Sequence, residues 1–255
     1  MALSWKSQQF QKLIENIFPP SVSGCVLTPE GAPLHLQYAH LADIGTLPLA
    51  GRITNQYLQL QPGQVAIMND PYSGGTLLST VTLVTGVALT GRAPQKTDAI
   101  LAYRFPLRPH LKFAGTVDEE GLRIPPTPIA DGDNINKSLL KIMAEHPLAP
   151  QSLYERTIAA IAELHSISQQ FREGFDIYDL NFSKSLVQNY LAESHKVMKS
   201  MLSELPLGDS RVQSTLKDET RIRVHIELTG EKVLMDFTGT SASPAMNLTD
   251  AATFG

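Results

Sequence analysis

Residues 63–83, GQVAIMNDPYSGGTLLSTVTL, contain the side chains whose types and spacing are best suited to chemistry. An apolar run is followed by Asn, Asp, Pro and Gly, which break regular structure, so residues 69–76 are predicted to form a tight loop between two strands. Polar loops held by buried strands are common locations for active sites. The sequence therefore suggests two sets of site residues. They are the candidate catalytic residues Asp70, Asn69 and Tyr72, and the candidate substrate-contacting loop residues Gly74, Gly75 and Thr76.

Asp70 also has a purely structural interpretation. Its carboxylate could accept hydrogen bonds from the backbone N–H groups of the following turn, as aspartates in turns commonly do. The same two interpretations apply to Asp236, which opens the run DFTGTS after the last predicted strand. The sequence alone leaves both alternatives open.

Other recognisable catalytic or metal-binding patterns are absent from the sequence. The seven histidines are scattered and none has the spacing of a zinc site. His40 and Asp43 lie three residues apart and could share an ion, although a hydrogen-bonded histidine near a turn is the alternative. Cys25 lies in an apolar run, where a buried, inert thiol is expected. Ser73-Gly74-Gly75 lacks both the nucleophile-elbow pattern and the lysine of a phosphate-binding loop, so no ATP site is expected in this chain.

Composition excludes several classes of partner. With 21 Lys and Arg against 25 Asp and Glu, the 255-residue chain has a net charge of −4, which argues against a nucleic-acid or anionic-membrane surface. No run approaches the ~18 apolar residues of a membrane span, and the N-terminus lacks the apolar core of a signal peptide. A single cysteine cannot form an internal disulfide, which suits a reducing compartment. We therefore expect a cytoplasmic protein with neither nucleic-acid nor membrane partners.

Hydrophobic periodicity predicts an α+β fold rather than alternating βαβ units. The expected helices span 5–18, about 49–58, about 136–146, 153–171 and 185–205. The expected strands are a hairpin within 25–38, single strands at 65–68, 81–89 and 99–103, and a second hairpin at 221–238. Residues 104–131 are predicted to be a long, irregular loop.

The predicted elements suggest one domain, 1–255, in three parts. Residues 1–130 are β-rich and contain hairpins, 134–205 are helical, and 221–255 form a closing C-terminal hairpin and tail that could add to the first sheet. The heptad-like apolar face of the helix at 185–205 is more typical of a bundle core than of a partner-binding helix.

Three motifs carry a family resemblance. NDPYSGGT at 69–76, EGLRIPP at 120–126 and DFTGTS at 236–241, followed by Asn247, resemble the hydantoinase B/oxoprolinase family in order and spacing. AHLADIGTLP at 39–48 is similar to the segment that the family places before its NDPY loop. The resemblance covers nearly the whole chain, and it adds Asp236, Thr240 and Asn247 as candidate substrate or loop residues.

The resemblance implies an activity and its cofactors. Family members act with a hydantoinase A-like, ATP-using subunit in opening cyclic amides such as 5-oxoproline or hydantoins, or in carboxylating acetone-like ketones. A divalent metal held by His and Asp is expected to polarise a carbonyl or phosphoryl oxygen. ATP and a divalent metal would thus be expected of an active family complex, with a hydantoinase A-like partner; a homo-oligomer and a small-molecule ligand are further expectations.

The chain departs from the family at the expected metal ligands. Where the family has His-Leu-Pro-Asp after GGT, this sequence has Leu77 to Thr80. Asp43, or His40 in a shifted alignment, replaces a family histidine. A third ligand segment, after Tyr103-Arg104, is replaced by residues that include Pro106, Leu107 and Pro109. Because Leu has no lone pair to donate and a Thr hydroxyl binds divalent ions more weakly than a carboxylate, the sequence predicts no metal and no cofactor in this chain.

The sequence therefore predicts a hydantoinase B-like protein that acts as a non-catalytic subunit or binding component. Whether it is an enzyme stays open, because substitute residues could converge from different loops to make an active component of an ATP-dependent cyclic-amide hydrolase or ketone carboxylase. The candidates for that alternative are Asp70, Asp43, His40 and His110. A stand-alone binding module with a pocket near Asp70 and Tyr72 is the third hypothesis.

Overall fold

A computed structural model describes residues 3–89, 96–107, 120–215, 219–230 and 232–242. Strands and helices are numbered here in chain order. The strands are β1 Ser23–Leu27, β2 Pro33–Gln37, β3 Gln64–Met68, β4 Thr80–Val87, β5 Ala99–Pro106, β6 Thr127–Asp131, β7 Asn134–Ile135, β8 Gly208–Thr215, β9 Arg221–Leu228 and β10 Val233–Asp236. The helices are α1 Trp5–Glu15, α2 Asp43–Leu58, α3 Lys137–Ala144, α4 Leu153–Ile177 and α5 Lys184–Glu204. The mixed α+β architecture confirms the predicted fold class.

Seven strands form one antiparallel sheet in the order β2-β1-β5-β4-β3-β6-β7. The central strands β1, β4 and β5 are buried almost throughout, because helices cover both faces of the sheet. On one face, α2 packs over a cluster that includes Leu47, Ala66 and Ala102. On the other face lies the larger core, to which α1 and α3 to α5 contribute. The alternation of side chains along each strand separates these two cores.

Local sequence signals explain several element boundaries. The side chain of Asn136 accepts a hydrogen bond from the Leu139 amide at the start of α3, and Ser183 accepts one from the Leu186 amide at the start of α5. Helix α2 begins at Asp43, before the predicted residue 49, and it contains Pro48 in its interior. The first hairpin, the strand after Gly63 and the hairpin at 221–238 are confirmed.

Two expectations about the fold are wrong, and a third holds only in part. Residues 104–131 are not a continuous loop, since β5 extends to Pro106 and β6 pairs with β3. The closing hairpin does not join the first sheet; it pairs with β8 to form a separate three-stranded sheet of order β10-β9-β8. The apolar face of α5 enters the core only in its first half, since Leu186 and Tyr190 are buried whereas Met201 and Leu205 are exposed.

Among the helices in the described ranges, none is long and apolar enough to cross a membrane.

Candidate functional site: a buried ion pair beneath a small cavity

A buried ion pair joins the central sheet to α2. The Arg104 guanidinium, from β5, lies 2.7 Å (Nη1 to Oδ1) from the carboxylate of Asp43, the first residue of α2. The two side chains are only 3% and 7% exposed. Charged groups this deeply buried are tolerated when they are paired and hydrogen-bonded.

The Arg104 guanidinium also binds three neighbouring segments. Its Nε donates to Thr82 Oγ1 on β4 at 2.8 Å, Nη1 donates to Thr46 Oγ1 in α2 at 2.8 Å, and Nη2 donates to the Gly74 carbonyl at 2.6 Å. Thr82 lies directly opposite Arg104 in the β4–β5 register. One side chain therefore ties together β4, β5, α2 and the loop at 69–76.

The second oxygen of Asp43 is also occupied. It accepts a hydrogen bond from Ser23 Oγ at 2.5 Å, and Ser23 Oγ in turn accepts one from the Ala39 amide at 2.9 Å. Ser23 faces the same side of the sheet because it is paired with Arg104 between β1 and β5. Burial lowers the pKa of the Arg104 guanidinium, and the neighbouring Asp43 carboxylate opposes that effect.

A cavity of about 290 Å³ lies against this ion pair. Its walls include several positions that the sequence comparison marked as substituted metal ligands, together with Arg104 itself. The lining residues include His40, Asp43, Thr76, Leu77, Thr80 and Pro106. These positions, which are far apart in the sequence, are thus brought to one place. Leu107 is different, because its side chain is buried in the main core.

The donors around this cavity do not suit a divalent metal. Both Asp43 oxygens already accept hydrogen bonds, Leu77 and Pro106 offer no side-chain lone pair, and Thr80 Oγ1 donates to the Leu77 carbonyl at 2.8 Å. His40 Nδ1 accepts a hydrogen bond from the Ala42 amide at 3.2 Å, which leaves only Nε2. Within the described ranges, no group of three or more His, Cys, Asp or Glu side chains could hold a metal ion. The predicted loss of the metal site stays a prediction.

Asp70 caps the turn that follows it. Its carboxylate accepts hydrogen bonds from the Tyr72 amide at 3.2 Å and from Ser73 Oγ at 3.3 Å, which is the structural alternative considered from the sequence. Tyr72 is 75% exposed, and the Arg123 guanidinium lies 5.9 Å from its ring centroid. Neither residue lines the cavity beside Arg104. Their predicted catalytic role stays a prediction.

Asn69 connects the loop to the segment that contains EGLRIPP. Its amide nitrogen donates to the carbonyls of Leu78 and Leu122, each at 2.9 Å, and its amide oxygen accepts from the Ile124 amide at 2.6 Å. With 1% of its surface exposed, Asn69 has its polar atoms engaged by backbone groups. These contacts join two of the family-like motifs, and they give Asn69 a clear structural function. Its predicted catalytic role is untested.

The two loop glycines are required by close backbone contacts. Gly74 has φ +94°, and a Cβ there would collide with the backbone of Ala50 in α2. A Cβ on Gly75 would collide with the Asn69 carbonyl. Only glycine permits the combination of positive φ and close approach at Gly74, and the close approach alone excludes a side chain at Gly75. The loop therefore lies tightly against α2, which places the Gly74 carbonyl within reach of Arg104.

The C-terminal candidates belong to the small sheet. Asp236 accepts hydrogen bonds from the amide and hydroxyl of Thr238, which lower the pKa of its carboxyl. Thr240 Oγ1 bonds the backbone of Arg223 at 3.0 Å. Within the described residues, no hydrogen bond or ion pair joins them to the loop at 69–76. Asn247, Pro109 and His110 lie outside the described residues.

Sequence reasoning missed the role of Arg104. The available signal was a single arginine within the otherwise apolar β5 sequence AILAYRFP, since a charge in a strand buried on both faces requires a partner. It did not identify that partner, because Asp43 lies 61 residues earlier in the chain. The sequence did identify Asp43, but as the residue that replaces a family histidine among the expected metal ligands.

A model of the hydantoinase B/oxoprolinase family matches residues 21–254. The chain therefore belongs to that family, which confirms the resemblance inferred from its motifs.

Individual relatives are distant and longer than this chain. The chain is 25% identical over 235 residues to the uncharacterized protein MJ0963 of Methanocaldococcus jannaschii; the match covers 85% of the chain and 40% of that relative. It is structurally similar to an ATP-dependent caprolactamase from Pseudomonas jessenii, with a TM-score of 0.69, 14% identity and coverage of 90% of this chain and 43% of the caprolactamase. It is also structurally similar to an acetone carboxylase, with a TM-score of 0.63 and 13% identity; the match covers 93% of this chain and 35% of the acetone carboxylase chain. These structural likenesses establish a shared fold.

Proposed function

We propose that this chain is a non-catalytic subunit or binding component of the hydantoinase B type, in which an arginine–aspartate ion pair has replaced the family's metal centre. The observation that carries the proposal is the buried Arg104–Asp43 pair beside the substituted positions Leu77, Thr80 and Pro106. The guanidinium supplies a fixed positive charge where a metal ion would otherwise be expected. Unlike a metal, it has no open coordination position for activating water or polarising a carbonyl.

The cavity supports a role in binding a small molecule. Four of the five guanidinium N–H groups of Arg104 have acceptors in the described part of the chain, and the fifth, on Nη2, has none there. Leu77, Phe105 and Pro106 provide apolar walls. A compact ligand with one acceptor oxygen and an apolar body would match this combination of surfaces.

The proposed partner is a hydantoinase A-like, ATP-using protein, and ATP would bind that partner. No nucleophile elbow or phosphate-binding lysine is present in the sequence of this chain. The cytoplasmic location and the one-domain organisation over 1–255 stay predictions.

Reconstitution with the hydantoinase A-like protein of the same organism would test the proposal. The two purified proteins are mixed, complex formation is measured by size-exclusion chromatography, and ring opening of 5-oxoproline, a hydantoin and caprolactam is measured with and without ATP. We expect a complex whose turnover does not exceed that of the partner alone. ATP-dependent turnover that requires this chain, and that is lost on Asp43→Asn, would overturn the non-catalytic role.

The alternative is an active component of an ATP-dependent cyclic-amide hydrolase or ketone carboxylase. It is favoured by the kinship in fold with the caprolactamase and the acetone carboxylase, and by the position of His40 and Asp43 on one cavity. Asp70, which is also a candidate residue for this alternative, is not among the residues that line that cavity. The same reconstitution separates the two functions.

A further inference from the structure

A second cavity lies between the start of α1 and the segment that leads from α4 into α5. Its volume is about 520 Å³, which is within the range of small-molecule pockets. None of its lining residues belongs to the cavity beside Arg104. It is therefore a separate candidate site.

Uncharged polar side chains dominate the lining of this second cavity. Six of its eleven lining residues are serines or asparagines. They are Ser4, Ser7, Asn181, Ser183, Ser185 and Asn189. In the described part of the chain, neither asparagine side chain has a hydrogen-bond partner, so each offers two N–H donors and one acceptor oxygen. Neighbouring hydroxyl groups on a ligand, which both donate and accept, would match these amides.

Trp5 gives the cavity an aromatic wall. It is the single tryptophan of the chain, and it is 56% exposed at the start of α1. Leu180 and Leu186, which are both buried, add apolar surface. The C–H face of a sugar ring can pack on an indole ring while its hydroxyls reach polar groups beside that ring. An exposed aromatic ring beside unpaired amides thus suits a ligand that is both apolar and hydroxylated.

The charges at the cavity favour a neutral ligand. Lys6 and Asp179 contribute one charge of each sign. Ser4 precedes α1, and a helix N-terminus is a common place for an anion. That place is already taken, because the Glu193 carboxylate accepts hydrogen bonds from the Ser4 amide and from Ser4 Oγ, both at 3.0 Å. A second anion would be repelled by this carboxylate.

Asp179 has an unusual backbone conformation at the edge of the cavity. The Leu180 amide donates to the Phe175 carbonyl at 2.8 Å, so α4 ends in a motif that usually has glycine at the position of Asp179. With φ +50°, Asp179 occupies a region that disfavours residues with a Cβ. No hydrogen bond of its carboxylate within the described residues offsets this strain. Strained residues of this kind are concentrated at functional sites.

We propose that the second cavity binds a neutral sugar. The sugar ring packs on Trp5, and its hydroxyls bond to the side chains of Asn181, Asn189 and Asp179. The argument is independent of the cavity at Arg104 and of the proposed non-catalytic role, since the two cavities share no residue.

Tryptophan fluorescence reports on this site directly, because Trp5 is its only source. The full chain is titrated separately with glucose, mannose, galactose, N-acetylglucosamine, maltose and cellobiose to about 50 mM. Sodium phosphate and sodium acetate are titrated in parallel as anionic probes. We expect at least one sugar to give a saturable change in Trp5 emission and neither anion to do so. A response to an anion but to no sugar, or no response at all, would overturn the proposal.

Two residues with positive φ supply a matched pair of variants. Asp179→Gly removes the carboxylate and the strain, whereas Gln59→Gly makes the same backbone change at φ +48°, after the end of α2 and outside the cavity. Both variants should have a Tm equal to that of the unmodified chain or up to about 4 °C higher. The backbone change is thereby separated from the loss of the carboxylate.

Isothermal titration calorimetry with the tightest-binding sugar completes the test. We expect Asp179→Gly and Trp5→Ala each to weaken binding at least about tenfold, and Gln59→Gly to leave it within about twofold. A sugar that binds with unchanged affinity to both Asp179→Gly and Trp5→Ala would lie elsewhere on the chain, which would overturn the proposal.

Discussion

Removing the Arg104 guanidinium would leave the Asp43 carboxylate buried with Ser23 as its remaining side-chain donor. Arg104→Met keeps much of the side-chain volume but removes the charge and all four hydrogen bonds of the guanidinium. We expect the free energy of unfolding to fall by about 3–5 kcal/mol, the usual cost of breaking a buried ion pair from one side. Since total stabilities are about 5–15 kcal/mol, this is a large fraction of the whole.

A double-mutant cycle separates the ion pair from general damage. Asp43→Leu alone leaves the buried guanidinium without its carboxylate partner, whereas the double variant with Arg104→Met removes both charges. The double variant should therefore be destabilised by roughly 2–3 kcal/mol less than the sum of the two single effects. Equilibrium urea unfolding followed by circular dichroism measures each value. Ser23→Ala, which removes one hydrogen bond to Asp43, is a milder member of the series and should cost about 1–2 kcal/mol.

An exposed pair provides the control. Arg211 lies 3.9 Å from Asp209 and is 77% exposed, so Arg211→Met should change stability by no more than about 0.5 kcal/mol. A loss of less than about 1 kcal/mol in Arg104→Met would show that the buried pair does not stabilise the fold in this way. The same conclusion would follow if the effects of the single variants summed to that of the double variant within about 0.5 kcal/mol.

Three further predictions concern other described residues. Asn69→Leu should lower the free energy of unfolding, measured by thermal unfolding, by about 3 kcal/mol or more, because backbone groups such as the Leu78 carbonyl lose their buried partner. A decrease below about 1 kcal/mol would contradict this. Gly74→Ala should lower the free energy of unfolding, measured in urea, by about 2 kcal/mol or more. The control Gly45→Ala lies in α2, where an added Cβ meets no other atom, and should be neutral or slightly stabilising. Equal effects would exclude the close approach of Gly74 to α2. Burial raises the pKa of the Cys25 thiol to about 12, so the neutral thiol favours the folded state. Its contribution to stability is complete below the ordinary pKa of 9.0 and is lost as the pH rises toward about 12. Urea unfolding at several alkaline pH values should show a steeper loss for the unmodified chain than for Cys25→Ala, and parallel curves would contradict the shift.

Much of the fold could be predicted because local signals and burial agree. The strict alternation around Gly230 predicted the β9–β10 hairpin, and Asn, Pro and Gly marked the corner at 69–76. The family motifs led to several of the positions that line the cavity, including Leu77 and Thr80. In these cases the residue types specify the local backbone without help from distant parts of the chain.

The missed features depend on long-range contacts. β6 is a short strand that follows Pro125 and Pro126 and contains Pro128, and it is a strand because β3 offers it an edge. β8 has a polar sequence of exposed residues and is specified by its pairing with β9. Likewise the charge of Arg104 showed that a partner was needed, but only the packing of α2 on the sheet brings Asp43 to it.

The half-exposed face of α5 shows the limits of periodicity. The apolar spacing from Leu186 to Leu205 is continuous in the sequence, yet the buried part ends after Tyr190. Periodicity indicates which side of a helix is apolar, but it does not say what, if anything, covers that side.

Metal binding tests directly whether an ion pair has replaced the family's metal centre. The chain would be purified without chelators, incubated separately with Mn²⁺, Zn²⁺ and Fe²⁺, and desalted, and its metal content would be measured by inductively coupled plasma mass spectrometry beside His40→Ala and Asp43→Asn variants. We expect far less than one metal ion per chain, with no difference among the three proteins. A stoichiometric, tightly held metal that is lost in the Asp43→Asn or His40→Ala variant would contradict this expectation.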